Sequence, residues 1–580
     1  MTFDSLQEFV AFLEQKGQLR RISTEVDPVL EAPEIAQRVL REGGPALLFE
    51  HPKGATFPLL MNLFGTMERV EAALGRDPAE ISGELLQTIR RVNPPSLRGL
   101  WESRQTLKKA LLMQPRTTSD ATSQQVVEEP DLTRLPVVQC WPEDAGRFIT
   151  FGMVITRDPQ TKRRNFGLYR LQVYDGATTG MHWQSMKGGR GHYWAAEQAG
   201  TDLEVAVVIG CSPILMLASI LPLPEDVDEV AFAGFLRGRG VKMVQATSID
   251  MLVPADAEFV LEGVVRVGER RLEGPFGDHF GHYSEAADFP VFRIRKVTRR
   301  RNPIYVATVV GKPPQEDKFI GIAAGRMIGP LIQVINPNIV DMCAYVGAGF
   351  HNLLVVALHR RHPQEALKTA MSLLGTGQLA LTKVLVLVPP DQDPSRFGPV
   401  LAQIWHRCHL EDNLVLLPVA PLDTLDFTSF KMHVGSKLII DASGAVVEEA
   451  PPRLRDDPTR FDPLVVRWKL LDGGFLVVVV DRDARTVLAR LIEASLGVRF
   501  IVAVSSDVDL DDEENVQWGI FTRFDPARDM LFEHQKFVGA RPVYGGTVGI
   551  DATWKKGYPK PLETDDATRH LVDRRWNEYF

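Results

Sequence analysis

Cysteine is scarce in this 580-residue chain: Cys140, Cys211, Cys343 and Cys408 lie far apart, with no CxxC pair. That spacing argues against a disulfide framework or a structural zinc site and fits a reducing compartment. Basic charge is also in short supply. Lysine and arginine number 66 against 74 acidic residues, a formal charge of −8, so composition gives nucleic acid no support as a partner. A secretory leader is missing from the first residues, and a cytoplasmic location is expected. Residues 1–17 instead read as an amphipathic helix, with a capping box over Asp4 to Gln7, Leu6, Phe9, Val10 and Leu13 on one face, and Gly17 as the stop. The longest apolar run, 205–224, is interrupted by Gly210, Ser212 and Pro213, which predicts a buried strand and a second short element, with no transmembrane segment. The HxxH pairs at His279/His282 and His406/His409 lack the i, i+4 spacing of a zincin helix. Gly375-Thr376-Gly377 precedes a strand, where a dinucleotide fingerprint must follow one.

What remains is an ordinary globular composition, 44% hydrophobic and 24% charged, long enough for three or four domains. Residues 1–115 alternate helix patterns with short apolar runs: Glu31-Ala32-Pro33 starts a helix, Gly43-Gly44 ends it, and 45–49 reads as a strand. The polar stretch 114–129 has little to bury and reads as a linker. In 121–316 the runs 148–156, 165–173, 181–184 and 259–267 are strand-like and separated by turn residues, which predicts a β-rich, barrel-like domain. A linker helix is expected over 317–337. From 338 to 580 the chain alternates again, with strands expected at 353–358, 384–388, 414–419 and 475–480. Two segments look like copies of one unit: 382–443 ends in Gly-Ser-Lys-Leu-Ile-Ile-Asp-Ala-Ser, and 498–554 in Gly-Thr-Val-Gly-Ile-Asp-Ala-Thr-Trp. In the tail, Val572, Trp576, Tyr579 and Phe580 form a stripe that its own domain or a second subunit must cover. The fold class is therefore multidomain α+β.

Two stretches carry the chemistry: Arg164-Asn165-Phe166-Gly167-Leu168-Tyr169-Arg170, running on to Met181-His182-Trp183, and Glu273-Gly274-Pro275-Phe276-Gly277-Asp278-His279. Arg170 stays protonated and suits a carboxylate through paired hydrogen bonds, although alone it reads more readily as a rim arginine. Gly274, Pro275 and Gly277 exclude regular structure, so that loop serves to aim Glu273 and Asp278. Two carboxyls near one guanidinium can differ in protonation, which makes one a proton donor. Asn165, His182 and Glu229 would suit a hard or borderline divalent ion, but scattered residues of these types are common. Strand parity also places Asn165 and Arg170 on opposite faces unless the chain bulges, for example at Gly167.

These motifs, with Lys187-Gly188-Gly189, Glu229-Val-Ala-Phe-Ala-Gly and Gly311-Lys-Pro-Pro in the same order, resemble the UbiD decarboxylases, from the first helix to about Ser443. The resemblance implies an N-terminal α/β domain, a split β-barrel holding prenylated FMN, and a C-terminal α/β domain, here with a repeat-like extension. It implies non-oxidative, reversible decarboxylation of an aromatic acid, with Arg170, Glu273 and Asp278 as the catalytic network. Leu168, Tyr169, Arg170, His182, Trp183, Gln184, Lys187, Gly188 and Lys383 would contact the cofactor. Asn165, His182 and Glu229 would hold a divalent ion, usually manganese, with potassium as a further ion. Longer relatives point to a dihydroxynaphthoate acid of menaquinone synthesis, shorter ones to polyprenyl hydroxybenzoate of ubiquinone synthesis. A flavin prenyltransferase would supply the cofactor, and the chain would form a homo-oligomer, a dimer or a multiple of dimers, with peripheral membrane contact left open. Three alternatives stand beside this: another aromatic or α,β-unsaturated acid, a flavin redox enzyme, and a non-catalytic scaffold that keeps the fold.

Overall fold

The first helix, Leu6–Gln15, forms as its periodicity requires, burying Leu6, Phe9, Val10 and Leu13. Its cap lies one residue later than expected. Ser5 Oγ accepts the Glu8 amide at 3.3 Å, and the Glu8 carboxylate accepts the Asp4 amide at 2.8 Å, because Ser5-x-x-Glu8 supplies both partners of the box. The computed structural model describes residues 2–92, 101, 104, 108, 113–184, 188–223 and 227–580, which leaves the expected cofactor residue Lys187 outside the described residues. The chain divides into two units: Met1–Asp278 with His282–Ile328 and Pro561–Phe580, and His279–Gly281 with Gly329–Lys560.

In the first unit a small sheet orders Leu19–Ile22, Ala46–Phe49, Leu59–Met61 and Tyr305–Val306, so a late strand completes an N-terminal layer. The helix Asp566–Tyr579 belongs to this unit too. Its stripe buries Val572 and Tyr579 in one cluster with Ile35 and Val39 of the helix Glu31–Arg41, so the chain covers part of this apolar face, with Trp576 half-buried and Phe580 exposed. Tyr579 donates to Glu31 at 2.7 Å, Arg38 to Asp573 at 2.6 Å, and Arg575 also pairs with Glu31.

The central sheet has seven strands. Phe259–Glu273 is its spine, antiparallel to Leu203–Ile209 on one side and to Ala287–Arg299 on the other. Phe148–Arg157 follows, with Arg164–Gln172 at one edge; Val126–Glu128 is the other edge, and Thr178–Gly180 also pairs with Ala287–Arg299. Among the described residues no ladder closes this sheet, and a single antiparallel bridge, Val173–Thr179, joins Thr178–Gly180 to the end of Arg164–Gln172. The polar stretch 114–129 is no free linker: its residues Val126–Glu128 add an edge strand through backbone bonds, which a Ser/Thr/Gln-rich composition does not reveal. Residues 181–184 join no ladder. The run 205–224 does break as expected, into Leu203–Ile209 and the helix Pro213–Ala218. No helix among the described residues is long and apolar enough to cross a membrane.

The second unit contains two five-stranded sheets of one design. In the first, Ile339–Ala344 is antiparallel to Leu353–Leu358, which runs parallel to Val384–Val388 and then Val434–Asp441, with Leu414–Pro421 antiparallel at the edge. In the second, Arg467–Leu471, Phe475–Val479, Phe500–Val504, Arg541–Ala552 and Met530–Val538 repeat that order and those directions. The ends of the copies match as well: Asp441 Oδ1 accepts the amide and hydroxyl of Ser443, and Asp551 Oδ1 those of Thr553.

Candidate active site

Arg170 stands near the end of the edge strand Arg164–Gln172, and three groups meet its guanidinium. Nε donates to Glu273 Oε1 at 3.0 Å, Nη1 donates to Asp278 Oδ2, and Nη2 donates to Ser284 Oγ at 3.1 Å. The guanidinium also lies over the Phe276 ring, 4.5 Å from its centroid. Three of its five N–H bonds are thereby committed, and two remain for a ligand. Glu273 bridges onward: its Oε2 is 2.6 Å from His182 Nδ1. The side chains of Arg170 and Glu273 are only 8% and 0% exposed, so these charges act with little water to screen them.

Protonation follows from this arrangement. Burial pushes the Glu273 carboxyl up, but the Arg170 charge and the His182 hydrogen bond outweigh it, and the group lies below its usual range. Burial and the Arg170 charge lower the His182 imidazole against the pull of Glu273, so it is neutral at pH 7. The result is a fixed guanidinium–carboxylate pair with a neutral imidazole behind it and a second acid, Asp278, in front.

The loop that carries both acids is held by residues the sequence did not single out. Asp144 Oδ1 accepts the Gly277 amide at 2.7 Å while its Oδ2 accepts those of Cys140 and Trp141. Gln172 accepts the Gly274 amide at 2.9 Å. Trp141 explains two motif glycines at once. A β-carbon on Gly277 would sit 2.2 Å from its ring, and one on Gly311 2.3 Å from the ring's far side, while its indole N–H donates to Val310 O at 2.7 Å. Ser284 and Phe276, together with Phe289, whose ring centroid is 4.2 Å from that of His182, complete the surroundings. Nothing local ties Trp141, Asp144 or Ser284 to the site, since the partners that do so, Gly277, Val310 and Arg170, lie more than a hundred residues away in sequence.

The proposed metal ligands fall around the same edge strand. Asn165 Nδ2 is 3.4 Å from Tyr169 Oη, and the Tyr169 ring folds across Gly167, so these three positions share a face. The parity difficulty therefore stands. The irregularity lies on the neighbouring strand between Ile149 and Gly152, and the pairing is regular at Gly167. A β-carbon on Gly188 would fall 2.3 Å from Asn165 Oδ1, and the Gly189 amide donates to Tyr169 Oη at 3.1 Å, so the start of the helix Gly188–Ala199 abuts Asn165. Glu229 opens the helix Glu229–Arg237, and its Oε2 accepts the Phe166 amide at 3.1 Å. Burial raises Glu229 to about 7 against the pull of its amide donors, and Arg164, the nearby cation, is committed to both oxygens of Asp228. An amide oxygen, an imidazole and a carboxylate are donor types that suit a divalent cation, but His182 is hydrogen-bonded to Glu273, and no contact among the described residues joins it to Asn165 or Glu229. Among the described residues no three His, Cys, Asp or Glu side chains cluster as a metal cage.

Of the remaining expected cofactor residues, the Leu168 amide donates to Ser219 O at 3.2 Å, and Trp183 is buried with its indole N–H unpartnered. Gln184 is half-buried beside the undescribed stretch. Lys383 lies in the second unit, fully buried, its Nζ 2.8 Å from Asp426 Oδ2.

Comparison with known proteins points to one family. The family profiles described as the N-terminal, Rift-related and C-terminal domains of 3-octaprenyl-4-hydroxybenzoate carboxy-lyase match residues 10–89, 115–313, and 318–442 with 470–552, the last two stretches containing most of one second-unit sheet each. A protein of Archaeoglobus fulgidus with no assigned function is 43% identical over 463 residues, 80% of this chain and 96% of its own. A Chlamydia pneumoniae protein named as one of the subunits of a 4-hydroxybenzoate decarboxylase is 35% identical over 580 residues, 99% of this chain and 98% of its own. The UbiD-class enzyme HmfF of Pelotomaculum thermopropionicum, solved with FMN, is 28% identical with a TM-score of 0.64, covering 77% of this chain and 95% of that one. An evolved dimeric form of HmfF, solved with prFMN, matches with a TM-score of 0.62 at 27% identity over 77% of this chain and 96% of its own. The chain belongs to the UbiD family of carboxy-lyases.

Proposed function

We infer that this enzyme releases carbon dioxide from an aromatic carboxylic acid, reversibly and without net oxidation, with prenylated FMN as cofactor. The convergence of Arg170, Glu273 and Asp278 carries the reading. Bound at this site, the prenylated flavin supplies a sink for the electron pair left when carbon dioxide departs, which no protein side chain can offer. The two uncommitted N–H bonds of Arg170 orient the substrate carboxylate. Glu273, held ionised, fixes the guanidinium plane and the His182 ring. Asp278 delivers a proton to the carbon that has lost its carboxylate and is recharged from solvent. Asn165, His182 and Glu229 would hold a divalent ion, manganese by family resemblance, beside the cofactor phosphate, and the start of the helix Gly188–Ala199 suits the same phosphate.

For the substrate, a phenolic or hydroxynaphthoic acid of quinone synthesis is the first choice. The name carried by the Chlamydia pneumoniae relative favours a hydroxybenzoate as the second. A homo-oligomer and a flavin prenyltransferase partner belong to the same proposal. The test is co-expression with such a prenyltransferase, mass analysis of the bound cofactor, and carbon dioxide release from 1,4-dihydroxy-2-naphthoate, 4-hydroxybenzoate and cinnamate. Cofactor-loaded protein that releases none from any of them would overturn the reading.

A further inference from the structure

A cleft of about 590 Å³ opens in the first unit, between the helix Leu6–Gln15 and the turn after the strand Ala287–Arg299, and shares no residue with the Arg170 cluster. Four arginines line it, Arg21, Arg134, Arg299 and Arg301, against one acid, Glu14. Their commitments differ. Arg21 is spent on Glu14 and Glu50. Arg299 grips Glu128 through Nε at 2.9 Å and Nη2 at 3.2 Å, and its Nη1 donates to the carbonyls of Arg300 and Arg301. Arg134 makes one long contact to Glu128, 3.3 Å, leaving most of its donors unused.

Arg301 has no side-chain partner among the described residues, although its backbone is held on both sides: its amide donates to Gln125 at 3.0 Å, and its carbonyl accepts from Arg299 at 3.2 Å. A guanidinium on a fixed backbone at the rim of a cationic cleft is placed for an anion. The floor is apolar. Phe57, buried beneath the Arg134 and Arg299 guanidiniums at 5.5 and 5.1 Å, is joined by Val10, Pro303 and Ile304. Charge at the rim and apolar surface below match a molecule with an anionic head on a flat apolar body.

We propose that this cleft is a second binding site, for a small organic anion whose carboxylate or phosphate is held by Arg301 and Arg134 and whose ring stacks on the guanidinium planes that cover Phe57. The proposal is independent of the decarboxylase reading. Calorimetric titration at low salt with benzoate, adenosine 5′-monophosphate and inorganic phosphate tests it and separates the two head groups. At least one organic anion should bind the full-length protein. Arg301→Gln should weaken it about tenfold, the value of one charge-assisted contact, and Arg134→Gln by a smaller factor. Arg170→Gln should leave adenosine 5′-monophosphate binding unchanged, whereas benzoate, an aromatic carboxylate, also suits the Arg170 site; Arg301→Gln should leave the melting temperature unchanged. No binding by either organic anion below about 10 mM, weaker than any specific site of this kind, would overturn the proposal. So would affinity indifferent to both cleft variants, loss of adenosine 5′-monophosphate binding in Arg170→Gln, or inorganic phosphate binding as tightly as the organic anions.

Discussion

Each unit of this enzyme buries an ionic cluster, and the two are finished differently. Around Lys383 the charges pair within the fold, although neither Lys383 Nζ nor Asp426 Oδ2 has a hydrogen-bond partner among the described residues. Its ammonium sits 2.8 Å from Asp426, Asp426 Oδ1 accepts the amide and hydroxyl of Thr428, and Lys437 donates to the carbonyls of Ala380 and Thr382. The Arg170 guanidinium keeps two N–H bonds uncommitted among the described residues. The duplicated sheets sharpen the contrast. The carbonyl of Lys383 accepts the Leu438 amide as that of Arg499 accepts the Val548 amide, so the two cations stand at equivalent strand starts. Arg499 spends its charge on the carbonyls of Ile404, Trp405 and Cys408 at the end of a helix. Burial and charge together do not mark a catalytic site.

The comparison can be broken at either end. The largest effect is expected for Asp278→Asn, which keeps the shape and removes the proton: turnover should fall about 10²- to 10⁴-fold with little change in the melting temperature. A variant with full turnover would remove the proton donor. Asp426→Ala should do the reverse, leaving Lys383 buried and unpaired at a cost of about 3–5 kcal/mol in urea unfolding. Gly311→Ala pushes a β-carbon into Trp141 and should cost about 1–3 kcal/mol, with a loss of activity that exposes the loop's dependence on the clamp.

The smallest effect is a slope. Burial, with the neighbouring Lys383 charge, lowers Lys437 to about 7 although Asp426 opposes it. The unfolded chain keeps that proton up to about 10.4, so it binds more protons than the folded chain between those values. Stability should therefore rise with pH across that interval, by at most about 1.4 kcal/mol per pH unit. Unfolding curves at pH 7, 8 and 9 would show it, and Lys437→Met should flatten the rise.

The sequence exposed those parts whose signal is local. The duplicated endings at Asp441-Ala-Ser and Asp551-Ala-Thr could be read because each is a short turn whose side chain bonds two residues on. The acid loop could be read because glycine and proline exclude its alternatives. Val126–Glu128 stayed hidden because an edge strand needs only backbone donors and acceptors, which every residue has. Residues 181–184 look strand-like because Met181 and Trp183 are buried, yet burial here comes without a ladder. Trp141 and Asp144 were invisible for another reason: their value lies in partners at 277 and 310, and distance along the chain erases that pairing.

The helix Asp566–Tyr579 lies against the helix Glu31–Arg41 in the first unit, so the chain returns to that unit after residues 329–560 and is fastened there. Tension applied between residues 2 and 580 would meet this contact first, in shear, through Arg38–Asp573, Arg575–Glu31 and Tyr579–Glu31. The second unit would carry none of the load until that clasp parted, and a stretching experiment should record the clasp as the earliest rupture.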